Sequence, residues 1–209
     1  MNNPNFKKLN LGYSDNMTYE QLNNFCNDLS ENENIEVVFL YGNKIGPDGA
    51  KALAKMLKKN TTLKQLQLSD NNLGPDGVKH LAKALRYNKT LKYLGLDRNR
   101  IGDEGAKALA GVLRYNDTLK DLSVVLNHIG DKGAKAFAKA LEVNQTLAKL
   151  HMSRNYIDDE GVEALAKALE VNYTLIKLSI NDNLVDFSIN EKFKCLTSKE
   201  QRDFRRNCV

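Results

Sequence analysis

The chain has 209 residues, with 31 Lys and Arg against 26 Asp and Glu, a formal charge of +5. So mild an excess permits an acidic partner without pointing to nucleic acid. Three cysteines, Cys26, Cys195 and Cys208, make no disulfide framework, and no stretch has the apolar run of a signal peptide or a membrane span. The expectation is a reducing, cytoplasmic setting.

Residues 1–34 open with Phe6-Lys7-Lys8-Leu9-Asn10-Leu11, an alternating run that predicts a short strand. Leu22, Phe25, Cys26 and Leu29 follow at the spacing of one helix face. Ser14 stands where later units have Asn. We expect this segment to be a worn first repeat that caps the array, with Cys26 as a small, inert core residue.

Residues 35–183 repeat one unit. Leu66 and Leu68 alternate as a strand with one buried face demands, and Val78, Leu81, Ala82 and Leu85 then form one helix stripe. Ile35, Leu63, Leu91, Leu119, Leu147 and Leu175 recur every 28 residues, as do Asn43, Asn71, Asn99, Asn127, Asn155 and Asn183. One strand and one helix cannot close a core, so each unit must stack on its neighbours. The chain leaves the sheet while still inside the stack, so the repeated Asn is expected to satisfy backbone groups there. Gly46, Gly74, Gly102 and Gly130 open the following turns, and Asp158 replaces the glycine in the last. Helices are wider than the spacing of strands, so the array must bend with its sheet inside.

Two patterns in the repeat resemble other chemistry. Asn60, Asn88, Asn116, Asn144 and Asn172 each precede Thr by two residues, as N-glycosylation acceptors do. We read them as helix stops in the left-handed conformation. Asp70-Asn71-Asn72-Leu73-Gly74 comes nearest to a calcium loop, but its Gly is misplaced and the closing Glu is missing. No cofactor or metal is expected.

Residues 184–209 break the pattern. Phe187, Ile189, Phe193 and Leu196 are expected to cover the end of the core, and Ser198-Lys199-Glu200-Gln201 to start a short helix running through Arg206.

Through Leu63-x-x-Leu66-x-Leu68-x-x-Asn71-x-Leu73-Gly74-x-x-Gly77-x-x-x-Leu81-x-x-x-Leu85, the chain resembles leucine-rich repeats of the ribonuclease-inhibitor type over about residues 6 to 184. That resemblance implies an α/β fold: a curved solenoid with its parallel sheet concave and its helices convex. The family includes the ribonuclease inhibitor, repeat segments of NOD-like receptors, the GTPase activator for Ran and tropomodulin-like actin-cappers. The chain also resembles leucine-rich-repeat effectors that intracellular bacterial pathogens deliver into the host cytosol. The family implies partner binding along the concave side, and fold alone does not choose the partner.

Strand parity places the residues between and just after the core leucines on that concave face. The expected protein-binding residues are Val37, Phe39, Tyr41, Gln65, Gln67, Tyr93, Asp97, Asp121, Val125, Lys149, His151 and Arg154. Phe39, Tyr41 and Tyr93 are expected to cluster as aromatic anchors, and Lys149, His151, Arg154 and Lys177 to form a basic end. Alternatively, Phe39 packs against the first repeat and Val125 is a tolerated strand former. Lys51, Lys79, Lys107 and Lys135 stack in one row of the convex face, and Lys55, Lys83, Lys139 and Lys167 in another, which reads as a solvated surface.

The leading expectation is a monomeric, non-enzymatic module that binds a protein on its concave sheet. A secreted effector of the same architecture is the alternative. Less favoured are a GTPase activator and a Cys-dependent enzyme, since parity leaves His80, His128 and His151 without a Cys or Ser neighbour.

Overall fold

The structure, a computed structural model, describes residues 7–14 and 17–184. Strands and helices alternate: β1 (Lys8–Asn10), α1 (Tyr19–Ser30), β2 (Val37–Phe39), α2 (Gly46–Lys59), β3 (Gln65–Gln67), α3 (Gly74–Leu85), β4 (Tyr93–Gly95), α4 (Gly102–Leu113), β5 (Asp121–Ser123), α5 (Asp131–Leu141), β6 (Lys149–His151), α6 (Asp159–Val171) and β7 (Lys177–Ser179). The strands form one parallel sheet in sequence order. Their register is in step, so Leu66, Leu94, Leu122 and Leu150 stand side by side. Each helix packs on the next, and the wider helical layer makes this a curved leucine-rich-repeat solenoid with the sheet on its concave side.

The core lies between sheet and helices and runs unbroken through the stack. Val38, Leu66, Leu94, Leu122 and Leu150 meet Leu53, Leu81, Leu109, Phe137 and Leu165 there, all without solvent contact. Cys26 belongs to the same core, and burial pushes its thiol up to about 12.

Two ladders of asparagine hold the turns on either side of this core. In the first, Asn71 donates from Nδ2 to the carbonyls of Leu40 and Leu68 at 2.8 and 3.0 Å, and its Oδ1 accepts the N–H of Asn43 at 2.9 Å. Asn99 repeats this one unit later with Leu68, Leu96 and Asn71. The expected satisfaction of buried backbone is therefore met across units. Ser14 imitates only half of it: its hydroxyl donates to the Leu11 carbonyl, while Asn43 supplies the longer reach to that same carbonyl.

The second ladder corrects the expected helix stops. Asn60 and Asn172 have extended backbones, with φ of −64° and −97°, not left-handed ones. They stop helices by another means. Asn60 donates from Nδ2 to the Leu29 carbonyl at the end of α1, and its Oδ1 accepts the N–H groups of Thr62 and Leu63. Asn88, Asn116, Asn144 and Asn172 likewise reach back to Leu57, Leu85, Leu113 and Leu141. These five amides are buried and engaged, so in the folded chain they do not present the glycan acceptor that the Asn-x-Thr spacing suggests.

The left-handed residues flank the first ladder instead. Asp70 and Asn72 have φ of 58° and 53°, and Arg98 and Arg100 both have 55°. Gly102 is left-handed at φ 60°, whereas Gly130 and Asp158 have φ of −101° and −107°. The last turn thus tolerates Asp158 because the backbone there has left the region that favours glycine. The expected terminal covering by Phe187, Ile189, Phe193 and Leu196, the helix through Arg206, and Cys208 lie outside the described residues.

Candidate functional site

The concave face is built by the residues on either side of each buried strand centre. Val37 and Phe39 flank Val38, Gln65 and Gln67 flank Leu66, Asp121 and Ser123 flank Leu122, and Lys149 and His151 flank Leu150. Phe39, Tyr41, Tyr93, Asp97, Asp121, Val125 and His151 are half-buried, as are Val37 and Gln67, and Gln65, Lys149 and Arg154 are exposed. The structure therefore puts eleven of the twelve expected residues on the side of the sheet away from the helices, in groups spread along its length, and Arg154 at the rim in the left-handed turn after β6.

The N-terminal group is aromatic, with a different membership from that expected. Tyr41 meets Phe39 edge-on with ring centroids 6.3 Å apart, and meets Tyr13 at 5.1 Å. The two tyrosines cover each other's neighbouring glycine. A Cβ on Gly12 would lie 2.1 Å from the Tyr41 ring, and one on Gly42 would lie 2.4 Å from the Tyr13 ring. Gly42 is also left-handed at φ 70°, so both space and backbone require glycine there. Lys8 Nζ sits 4.8 Å from the Phe39 ring centroid, a cation–π contact. Sequence reading missed Tyr13, although Ser14 bonding to Asn43 puts it in register with Gly42.

Tyr93 does not join this cluster. It stands two strands from Phe39, about 10 Å away at ordinary strand spacing, and Gln67 fills the gap. Gln67 donates from Nε2 to the Tyr93 hydroxyl at 3.1 Å, and its Oε1 accepts from Ser69 at 3.0 Å. The amide fits because Gly95 lies beneath it, where a Cβ would come within 1.8 Å of Oε1. Burial, with Asp97 and Asp121 nearby, holds the Tyr93 hydroxyl above its ordinary pKa. A cavity of about 350 Å³ opens between the first two groups, lined by Tyr13, Tyr41, Gln67, Ser69, Asp70, Asp97 and Arg98. Asp97 is fixed in its wall by accepting from the Ser123 hydroxyl and, at 2.9 Å, from the Val125 N–H.

The C-terminal group is less basic than expected. Asp121 lies 3.7 Å from Lys149 and 3.4 Å from His151 Nε2, and Arg154 pairs with Asp182 at 3.1 Å. Carboxylates on the neighbouring strand and turn thus offset much of the positive charge. His151 also corrects the view that no histidine has a serine neighbour, since its Nδ1 is 3.3 Å from the Ser179 hydroxyl. β6 and β7 pair in step, which puts Ser179 directly beside His151. The Asp121–His151–Ser179 row has the residue types of a hydrolytic relay. However, both separations exceed the roughly 2.6–3.2 Å of a working proton relay, and Asp121 Oδ1 accepts no hydrogen bond. The row is a cross-strand ladder on an open sheet. His128, on the rim, stacks on Tyr156 with centroids 5.3 Å apart. Among the described residues, no three His, Cys, Asp or Glu side chains converge as metal ligands would, and no helix is long and apolar enough to cross a membrane.

Comparison with known proteins accords with this architecture. Residues 1–104 match the family model described as the TMOD/LMOD leucine-rich domain, and residues 115–138 and 143–166 each match a leucine-rich-repeat model. No curated protein sequence matches the chain significantly. Among solved structures, one titled Leiomodin-1 Actin-Binding Site 2 superposes with a TM-score of 0.61 at 23% identity, covering 74% of this chain and 89% of that one. The tropomodulin C-terminal domain of Caenorhabditis elegans superposes with a TM-score of 0.61 at 15% identity, covering 76% of this chain and 95% of that one.

Proposed function

The chain is a leucine-rich-repeat protein, and from that premise we propose that it is a non-enzymatic, monomeric module that docks a partner protein on its concave sheet. One observation carries this reading. Tyr13, Phe39 and Tyr41 form an aromatic patch outside the core at the ends of β1 and β2, and Tyr13 and Tyr41 stand in the wall of a 350 Å³ cavity. Rigid aromatics of that kind make the anchors of protein interfaces. The ribonuclease-inhibitor type of repeat and a cytoplasmic site of action belong to the same reading. The burial of Cys26 argues against a thiol enzyme built on that residue, because only the thiolate is a nucleophile. No structural observation favours a GTPase activator or a delivered bacterial effector.

For the partner we propose actin. The support is likeness: the TMOD/LMOD match spans the aromatic end of the sheet, and a structure with the same fold carries an actin-binding title. The test is titration of fluorescently labelled actin with the protein, alongside a Phe39→Ala/Tyr41→Ala variant whose folding is checked by circular dichroism. Saturable binding that weakens at least about tenfold in the variant is the expected result. Binding unaffected by the variant would remove the concave aromatic patch from the interface. No binding at all would remove actin as the partner.

A further inference from the structure

The convex layer departs from its own repeat at one position. Lys55, Lys83, Lys139 and Lys167 occupy equivalent places on α2, α3, α5 and α6, and α4 carries Gly111 there. A Cβ at Gly111 would meet open space, so close packing does not account for the glycine. Glycine is also a poor helix former. The missing side chain opens a groove of about 290 Å³ between α3 and α4. Ala82, Ala108 and Val112 line it together with Lys83, Arg86 and Tyr115. Tyr115 is 68% exposed, and the Arg86 guanidinium lies 5.8 Å from its ring centroid.

The charged residues that line the groove, Lys79, Lys83 and Arg86, are all cations. On α2, α3 and α4 the acidic residues are confined to the first turn, as Asp48, Asp76, Asp103 and Glu104. Two of them are engaged locally, Asp76 with Lys79 at 3.0 Å and Glu104 with Lys107 at 2.6 Å. Lys83 and Arg86 have no carboxylate within ion-pair distance among the described residues. An apolar slot bordered by unpaired cations calls for an apolar side chain flanked by carboxylates. Its volume falls just below the roughly 300–1,000 Å³ of ligand pockets, which suits one side chain better than a cofactor.

We infer that this groove docks an acidic protein segment, seating one large apolar side chain against Ala108, Gly111 and Val112 while carboxylates beside it meet Lys83 and Arg86. The site is independent of the concave face.

Gly111→Lys separates this from general charge attraction, because it completes the lysine row. The added cation strengthens any purely electrostatic attraction, whereas the added side chain fills the slot. A random peptide library displayed on phage is panned on the wild-type chain, and the enriched peptide is titrated by fluorescence anisotropy. The expected peptide carries a Phe, Leu or Met between Asp or Glu residues. Its affinity is expected to fall at least about tenfold on Gly111→Lys and on Arg86→Glu, and to stay unchanged on Phe39→Ala. Failure to enrich such peptides, or binding that tightens on Gly111→Lys, would overturn the proposal. So would binding of phosphatidylserine vesicles that survives Gly111→Lys without any peptide binding, which would assign the cations to a lipid surface.

Discussion

Asp103 lies in the first turn of α4, yet its Oδ1 accepts the backbone N–H of Gly133, in α5, at 2.8 Å. It also accepts that of Gly130 at 2.9 Å. One carboxylate thus caps the helix of the next unit, satisfying donors that α5 leaves open at its start. Asp131 does the same for α6 through the N–H groups of Asp158 and Gly161. The equivalent positions in α2 and α3 are Pro47 and Pro75, so this cross-unit cap begins only at α4. Asp103→Ala is expected to destabilise the fold by about 1–2 kcal/mol. Asp103→Asn is expected to keep most of that stability, since an acceptor oxygen remains. Chemical denaturation of the three proteins, compared at equal m-value, checks both outcomes.

The asparagine ladder predicts a larger effect. Asn99 is fully buried, and removing its amide strands the Asn71 and Leu73 N–H groups, while the Leu68 carbonyl keeps only its bond from the Asn71 amide. At roughly 1–3 kcal/mol for each of these two buried donors, partly relieved by relaxation, Asn99→Ala should cost about 2–4 kcal/mol. A midpoint in urea within error of wild type would mean that the ladder adds nothing to stability.

Two glycines on the helical layer should respond to alanine with opposite signs. At Gly133 a Cβ would lie 2.5 Å from Ile129 Cγ2, 2.8 Å from Asp103 Oδ1 and 2.9 Å from Ala106 Cβ. Asp103 is itself held by two backbone donors, so the site has little room to give. Gly133→Ala is expected to cost about 1–3 kcal/mol by overpacking. Gly111 faces open space, and Gly111→Ala is expected to stabilise by about 0.5–1 kcal/mol through helix propensity. Thermal unfolding of both variants tests the contrast.

Burial of Cys26 ties stability to alkaline pH. Its thiol is pushed from 9.0 up to about 12 in the folded chain, so the neutral form is favoured there. Between these values the unfolded chain binds fewer protons than the folded one. The contribution is therefore intact below pH 9 and declines as pH rises toward 12, by at most about 1.4 kcal/mol per pH unit. Cys26→Ala puts at this site the residue that Ala54 and Ala82 already supply in later units. It should remove that part of the alkaline slope. Iodoacetamide at pH 8, with labelling located by peptide mass spectrometry, should leave Cys26 unmodified until denaturant is added.

Much of this architecture is legible one unit at a time. Leu66 and Leu68 with Val78, Leu81, Ala82 and Leu85 already specify a one-faced strand and a one-striped helix, and the 28-residue interval specifies their stacking. Strand parity was enough to separate Phe39, Tyr93, Asp121 and His151 from the core. It did not reveal their neighbours. Tyr93 bonds to Gln67 instead of stacking with Phe39, and His151 lies between Asp121 and Ser179, because those contacts cross strands.

Local periodicity and the repeat interval by themselves determined the strands, the helices, their order and the face each strand turns inward. Side-chain period is a property of the backbone within one element, and sequence records it directly. Only the tertiary structure decided where the asparagine amides reach, which carboxylates offset the basic end, how Tyr13 meets Tyr41, and that Gly111 opens a groove. Each of those depends on atoms one unit apart being brought within a few ångströms, and that distance is set by the stacking of the whole array.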